Sequence, residues 1–225
     1  MELFLANFAN WQSFLRIWPL LLQGLEVTLK LVAVCLPLAA LCGLCAGVAW
    51  SFSGPRMRRF LIAVIDLLRA FPALVLLVLI YYSLPAVGIR ISAFSAVVLA
   101  LCLNNTGYFG EIFRAGIVSI DKGQFEAAYS LGFGRLHAMA AIILPQAMRR
   151  VLAPCASNAL ELVKATSIAA IVALPELLRS ARVAQEQTYN PTPLTAVAVI
   201  FFILLWPFSR WVSILERRAI ILRGR

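Results

Sequence analysis

Five long apolar runs alternate with polar stretches along this chain. The first covers about residues 27–50 and stops at the turn-forming Ser51-Phe52-Ser53-Gly54-Pro55. The second, about 60–84, carries Asp66, Arg69 and Pro72 inside it. The third, about 91–113, is polar in its second half; the fourth covers about 152–174 and the fifth about 194–214. Each run is close to the ~20 residues that a membrane-crossing helix requires. They are continuous rather than alternating, so barrel strands are not expected. Helices satisfy their own backbone hydrogen bonds in lipid, and an all-α integral membrane chain with five transmembrane helices is the predicted fold. No internal repeat, low-complexity segment or long linker divides it, so residues 1–225 read as one domain.

Composition sharpens this picture. Hydrophobic residues make up 62% of the chain and charged residues 13%, and mean hydropathy is +0.90. Soluble domains are about half apolar and a quarter charged, so a soluble globule and a disordered chain are both excluded. The first residues, Met1 to Trp18, mix polar and aromatic positions and do not read as a cleavable signal peptide. The five tryptophans lie mostly near run ends and read as interfacial anchors.

The net charge is +10. The cations do not form a basic-aromatic surface for nucleic acid; they sit at the ends of the apolar runs, facing lipid headgroups. Arg56, Arg58, Arg59, Arg114, Lys122, Arg135, Arg149, Arg150, Arg217, Arg218, Arg223 and Arg225 fall on one side. Arg16, Arg90, Arg179 and Arg182 fall on the other. Cytoplasmic loops attract cations, so the N-terminus is expected outside and the C-terminus inside.

Two features invite chemistry and carry little. Cys42-Gly43-Leu44-Cys45 is a C-x-x-C without the further ligands that a metal site needs, and all five cysteines lie in apolar stretches. His137, the single histidine, reads as a surface residue.

The stretch after the third run is more informative. Asp121 is placed to cap a helix, Phe125, Ala128 and Tyr129 share one face, and Gly132 and Gly134 end it. A short amphipathic helix over about 121–134 follows. It serves either as a peg in a partner's groove or as an interfacial helix on lipid, and the residues alone favour neither.

Glu126-Ala127-Ala128, Gly132, Ile142, Leu144 and Pro145 meet every fixed position of the EAA-x3-G-x9-I-x-L-P signature. The chain thereby resembles the membrane subunits of binding-protein-dependent ABC importers. Further pieces resemble the polar amino-acid branch of that family: Gly24 to Leu31, Arg69-Ala70-Phe71-Pro72, Leu79-Ile80-Tyr81-Tyr82, Glu111 to Ile117, and Lys164-Ala165-Thr166-Ser167. Together they cover about residues 20–215. The resemblance implies a type I ABC importer permease fold in a bacterial inner membrane. It implies a transport subunit rather than an enzyme, coupled through Glu126, Ala127, Ala128 and Gly132 to a cytoplasmic ATPase dimer. A second permease subunit, identical or paralogous, and a periplasmic or lipid-anchored substrate-binding protein complete the set. The chain has no Walker-type glycine loop, so ATP and Mg are expected on the partner ATPase and no cofactor here.

Ionisable groups inside a membrane tend to be functional. Asp66 and Arg69, Glu161 and Lys164, and Glu111 and Arg114 are each spaced to pair along a helix. A zwitterionic amino acid needs a cation for its carboxylate, which Arg69 offers, and an anion for its ammonium, which Glu161 offers. Asn104, Asn105, Lys164, Thr166 and Ser167 complete the expected substrate path. Structural ion pairs are the competing reading of the same residues. Two departures from the family, Ala70-Phe71 for Gly-Thr and Ala165 for Asp, remove polarity along that path. An importer of another solute, an ion-coupled secondary transporter and a non-transport scaffold remain the alternatives.

Overall fold

The computed structural model of the chain describes Phe8 and residues 10–223, with side chains through residue 217. Arg218, Arg223 and Arg225, counted above as cytoplasmic cations, lie outside the described side chains, as do most of the residues before Asn10. The helices in order are α1 (Trp11–Phe52), α2 (Pro55–Ala70), α3 (Ala73–Ser83), α4 (Ala93–Val118), α5 (Lys122–Ser130), α6 (Arg135–Ala138), α7 (Leu144–Ala165), α8 (Leu177–Thr188) and α9 (Thr192–Arg223). A π turn, Met139–Ile143, joins α6 to α7, and a 3-10 turn, Thr166–Val172, extends α7. No strand occurs among the described residues. α1, α4, the run Arg135–Val172 and α9 are each long and apolar enough to cross a membrane, and α2 with α3 makes a fifth span if the broken pair is counted as one.

Three of the predicted runs differ from the observed helices; the fourth, expected from about residue 152, is helical from Arg135 and takes in Arg149 and Arg150. The first begins at Trp11, well before residue 27. Its polar residues had hidden a buried stripe of Ile17, Leu21, Gly24, Thr28, Leu31, Cys35, Ala39, Gly43 and Gly47, spaced by three or four throughout. The second, 60–84, is interrupted at Phe71-Pro72. A residue before proline is pushed out of the helical region, and Phe71 sits at φ −78, ψ 126.

The chain separates into two compact units. The first contains the stretch ending at Leu36, Ala73–Leu101 and Leu160–Arg210. Its core joins Ile17 and Leu21 of α1 to Leu177, Ala181 and Ala184 of α8 and to Ala196 and Val197 of α9. α8 is seated by its first turn. The buried Glu176 carboxylate accepts from the Leu178 and Arg179 amides at 2.8 Å each. Burial pushes that carboxyl above the usual range against the pull of the two amides. Thr28 Oγ1 donates to the Gly24 carbonyl and accepts from the Leu177 amide at 3.1 Å. Glu176→Ala removes a cap and is expected to destabilise α8 by about 1 kcal/mol. Limited trypsin digestion of membranes checks this: cleavage after Arg179 and Arg182 should accelerate relative to wild type.

The second unit contains Pro37–Pro72, Cys102–Ala159 and the stretch from Trp211. Ile117, Ile120, Met139, Ile143 and Ala147 form its core at the end of α4, with Phe125 of α5 packed on them. Small residues bring α1 close to α4. A Cβ at Gly43 would lie 2.5 Å from Phe109 Cβ and 2.7 Å from the Gly110 nitrogen. Cys42 and Cys45 flank this contact on the exposed side of α1.

Candidate functional site

α5 is held at both ends. Asp121 Oδ1 accepts from the Gly123 amide at 2.7 Å, which starts the helix. At the other end Gly132 adopts φ +81, its amide reaches the Tyr129 carbonyl at 3.0 Å, and the Phe133 amide reaches the Ala128 carbonyl at 3.1 Å. That double closure needs a left-handed residue, which glycine supplies without strain. A Cβ at Gly132 would meet nothing within 4 Å, so the backbone conformation and not space requires glycine there.

The faces of α5 divide clearly. Phe125 is half-buried on the core of its own unit and Ala128 is 1% exposed. Ala128 therefore faces its own chain, and its small size serves internal packing. Glu126 and Ala127 are exposed, and the Glu126 carboxylate has no partner among the described residues. The second half of the signature seats this helix. Pro145 cannot donate to the carbonyl four residues back, and the preceding turn widens so that the Leu144 amide bonds to Met139. Ile142 and Leu144 then pack on the core beneath α5.

The expected path residues divide between the two units. Arg69, Asn104 and Asn105 belong to the second. Arg69 Nη1 lies 3.5 Å from Asp66 Oδ1, a loose pair, and its guanidinium sits 5.6 Å over the Tyr108 ring. Asn104 serves the fold itself, since its amide nitrogen donates to the Leu68 carbonyl at 3.2 Å and to the Phe71 carbonyl at 2.9 Å. Pro72 has no N–H to offer Leu68, so Asn104 of α4 closes the broken end of α2. Asn105 Oδ1 accepts from Asn158 of α7 at 3.3 Å. Glu161, Lys164, Thr166 and Ser167 belong to the first unit. Glu161 and Lys164 form an exposed 2.7 Å pair. Thr166 is buried and donates to the Val163 carbonyl, whereas Ser167 is half-buried.

Replacing Asn104 by Leu leaves two carbonyls at the break without donors, at a cost of about 1–3 kcal/mol each. The expected result is a marked fall in the melting temperature of the purified subunit, beyond that of Asn105→Leu.

Sequence reasoning missed Tyr108 and the cationic neighbours of Trp50. Tyr108 lies one turn beyond Asn104 on the same face of α4, which is the signal that was available. Trp50, expected as an interfacial anchor, has two guanidinium groups over its ring, Arg58 at 4.8 Å and Arg114 at 5.3 Å from the centroid. Arg114 in turn grips Glu111 through both carboxylate oxygens, at 2.6 and 2.8 Å.

The family model for the binding-protein-dependent transport system inner membrane component matches residues 39–221. The chain belongs to this family. It is a permease, a multi-pass inner membrane component of a transport system, and not an enzyme. The probable amino-acid ABC transporter permease protein YckA of Bacillus subtilis is 32% identical over 93% of the permease and 93% of its own length. The glutamine transport system permease protein GlnP of Escherichia coli K12 is 32% identical over 95% of the permease and 99% of its own length. A chain from the crystal structure of an amino acid ABC transporter with histidines is 34% identical and superposes with a TM-score of 0.83, covering 93% of the permease and 99% of that chain. The methionine transporter MetNI, at 20% identity and a TM-score of 0.75 over 91% of the permease and 98% of that chain, shares the fold.

Proposed function

We propose that this permease carries a polar amino acid inward through a type I ABC importer. The observation that carries the coupling half of this reading is α5: a helix fixed at both ends that turns Glu126 and Ala127 away from its own unit. A cytoplasmic ATPase dimer takes that helix in a groove, and Glu126 meets a basic side chain there. ATP and Mg belong to the ATPase. Closing and opening of the ATPase dimer rotates the permease through α5 as a rigid body. A second permease subunit, identical or paralogous, completes the path, and a substrate-binding protein delivers solute from outside. The N-terminus lies outside and the C-terminus in the cytoplasm.

The names of the relatives support an amino acid as solute. Arg69 is assigned to the substrate carboxylate, because its pairing with Asp66 is loose and its guanidinium half-exposed. Glu161 is assigned to the ammonium, with Lys164 beside it. Asn105 and Ser167 contribute polar groups, while Asn104 and Thr166 shape the path through backbone bonds. Gly132 and Ala128 act on the coupling side by holding α5 in place.

The test is reconstitution of the permease with its ATPase and binding protein in proteoliposomes. Uptake of labelled glutamine or arginine should require ATP and the binding protein together. Uptake driven by an ion gradient without ATP would contradict the reading.

A further inference from the structure

On the same unit as α5, a cavity of about 370 Å³ opens between the α1–α2 connection and the coupling helix. Its walls include Ser51 from the end of α1, Ser53 from the connection, Arg58 from the first turn of α2, Phe125 and Tyr129 from α5, and Arg135 from the first turn of α6. Its volume falls within the range of small-molecule sites. It is lined by two guanidinium groups and by no carboxylate. Neither arginine forms an ion pair among the described residues. Beside its contact with the Trp50 ring, Arg58 hydrogen-bonds only to the Trp50 and Ser51 carbonyls, through Nε at 3.2 Å and Nη2 at 2.9 Å, and Nη1 is left over. Arg135 and the Tyr129 hydroxyl have no partner among the described residues. The two serine hydroxyls donate back into α1, Ser51 to Val48 and Ser53 to Ala49, and so offer acceptors rather than donors. Arg58, held on its two carbonyls, the unpaired Arg135 and a phenol therefore line one cavity without an internal anion. A concave site of this kind favours a multivalent oxyanion, which takes several charge-assisted hydrogen bonds at once.

We propose that this cavity binds a phosphate-bearing anion and thereby sets the seating of the coupling helix. The proposal rests on the reading of α5 as that helix. Phe125 and Tyr129 form one wall, so an anion held by Arg58 and Arg135 ties α5 to the end of α1 and the start of α6. When the site is empty, the two cations repel each other across it and that tie is lost. Two sources offer the same chemistry: the headgroup of an anionic phospholipid, or free phosphate from the cytoplasm. The position beside the ends of α1 and α2, where apolar spans give way to Arg56, Arg58 and Arg59, suits the lipid headgroup.

The experiment uses the purified transporter with all its subunits, in phosphatidylcholine vesicles with and without phosphatidylglycerol. Lipid retention by native mass spectrometry and ATP-driven uptake are both read. Wild type should retain phosphatidylglycerol over phosphatidylcholine by about tenfold and transport faster in its presence. Arg135→Gln should remove that preference; it breaks no contact of the fold, unlike Arg58→Gln, which loosens the end of α1. Arg56→Gln with Arg59→Gln should leave the preference intact, since those side chains lie outside the cavity. Millimolar inorganic phosphate separates the sources. Stimulation by phosphate in pure phosphatidylcholine identifies a soluble anion, and no stimulation with retained phosphatidylglycerol identifies the headgroup. Equal behaviour of wild type and Arg135→Gln in both readouts, or loss of preference on removing Arg56 and Arg59, overturns the site. Glu126→Arg distinguishes the two readings, because it should stop uptake and leave lipid retention unchanged.

Discussion

Glu126→Arg should abolish ATP-driven uptake while the permease stays in the membrane at its normal level. The carboxylate is exposed on α5 and bonds to nothing among the described residues of its own chain, so its replacement removes no internal contact. The helix itself is fixed by Asp121 at one end and by the Gly132 turn at the other, and neither depends on residue 126. What changes is the charge presented to a basic groove. Like charges brought together at an interface cost several kcal/mol. At about 1.4 kcal/mol per tenfold, uptake should fall by roughly a hundredfold or more. An immunoblot of the membrane fraction beside an uptake assay separates lost coupling from lost protein. Normal uptake would mean that this face of α5 docks nothing.

Gly43→Val should have the opposite signature, with the protein itself lost. A Cβ there would approach Phe109 Cβ to 2.5 Å, the Gly110 nitrogen to 2.7 Å and the Phe109 carbonyl carbon to 2.8 Å. Two of these are backbone atoms of a continuous helix and cannot turn aside. In membranes, helices hold together by close packing of small residues, because lipid offers no hydrophobic drive between them. Overpacking a core costs about 1–3 kcal/mol, and more where nothing yields. Against a total stability of about 5–15 kcal/mol, a steep fall in steady-state level and in melting temperature is expected. Gly54→Val is the matched control, since a Cβ at Gly54 meets nothing within 4 Å. A Gly43→Val subunit with wild-type level and melting temperature would contradict the packing described here.

The hydrophobic pattern made most of the architecture legible, and its failures at the first two runs have physical causes. Helix α1 begins at Trp11 because Ile17 and Leu21 bury against α8 and α9, contacts that a window average over Gln12, Arg16 and Gln23 conceals. The break at Phe71-Pro72 was visible as a proline, yet its repair was not. Asn104 lies more than thirty residues away in sequence and reads as a polar group on a path until the two carbonyls it serves are seen. The signature on α5 was legible residue by residue, but its faces were not. Ala128 turns inward and Glu126 outward, and only the seating of Phe125 on the core at the end of α4 decides which is which. Charge pairs three apart were readable from spacing alone. The approach of Arg58 and Arg114 to the Trp50 ring was not, because Arg114 reaches it from α4, far along the chain.

The most direct test of the central claim places a cysteine at Ala127, a small exposed residue on the outward face of α5. A short bifunctional crosslinker is then applied to native membranes, and the adduct is identified by mass spectrometry. The account predicts one dominant adduct with a P-loop ATPase that diminishes when nucleotide state is changed. A transporter that still imports with full activity, yet gives no ATPase adduct from position 127, would contradict it.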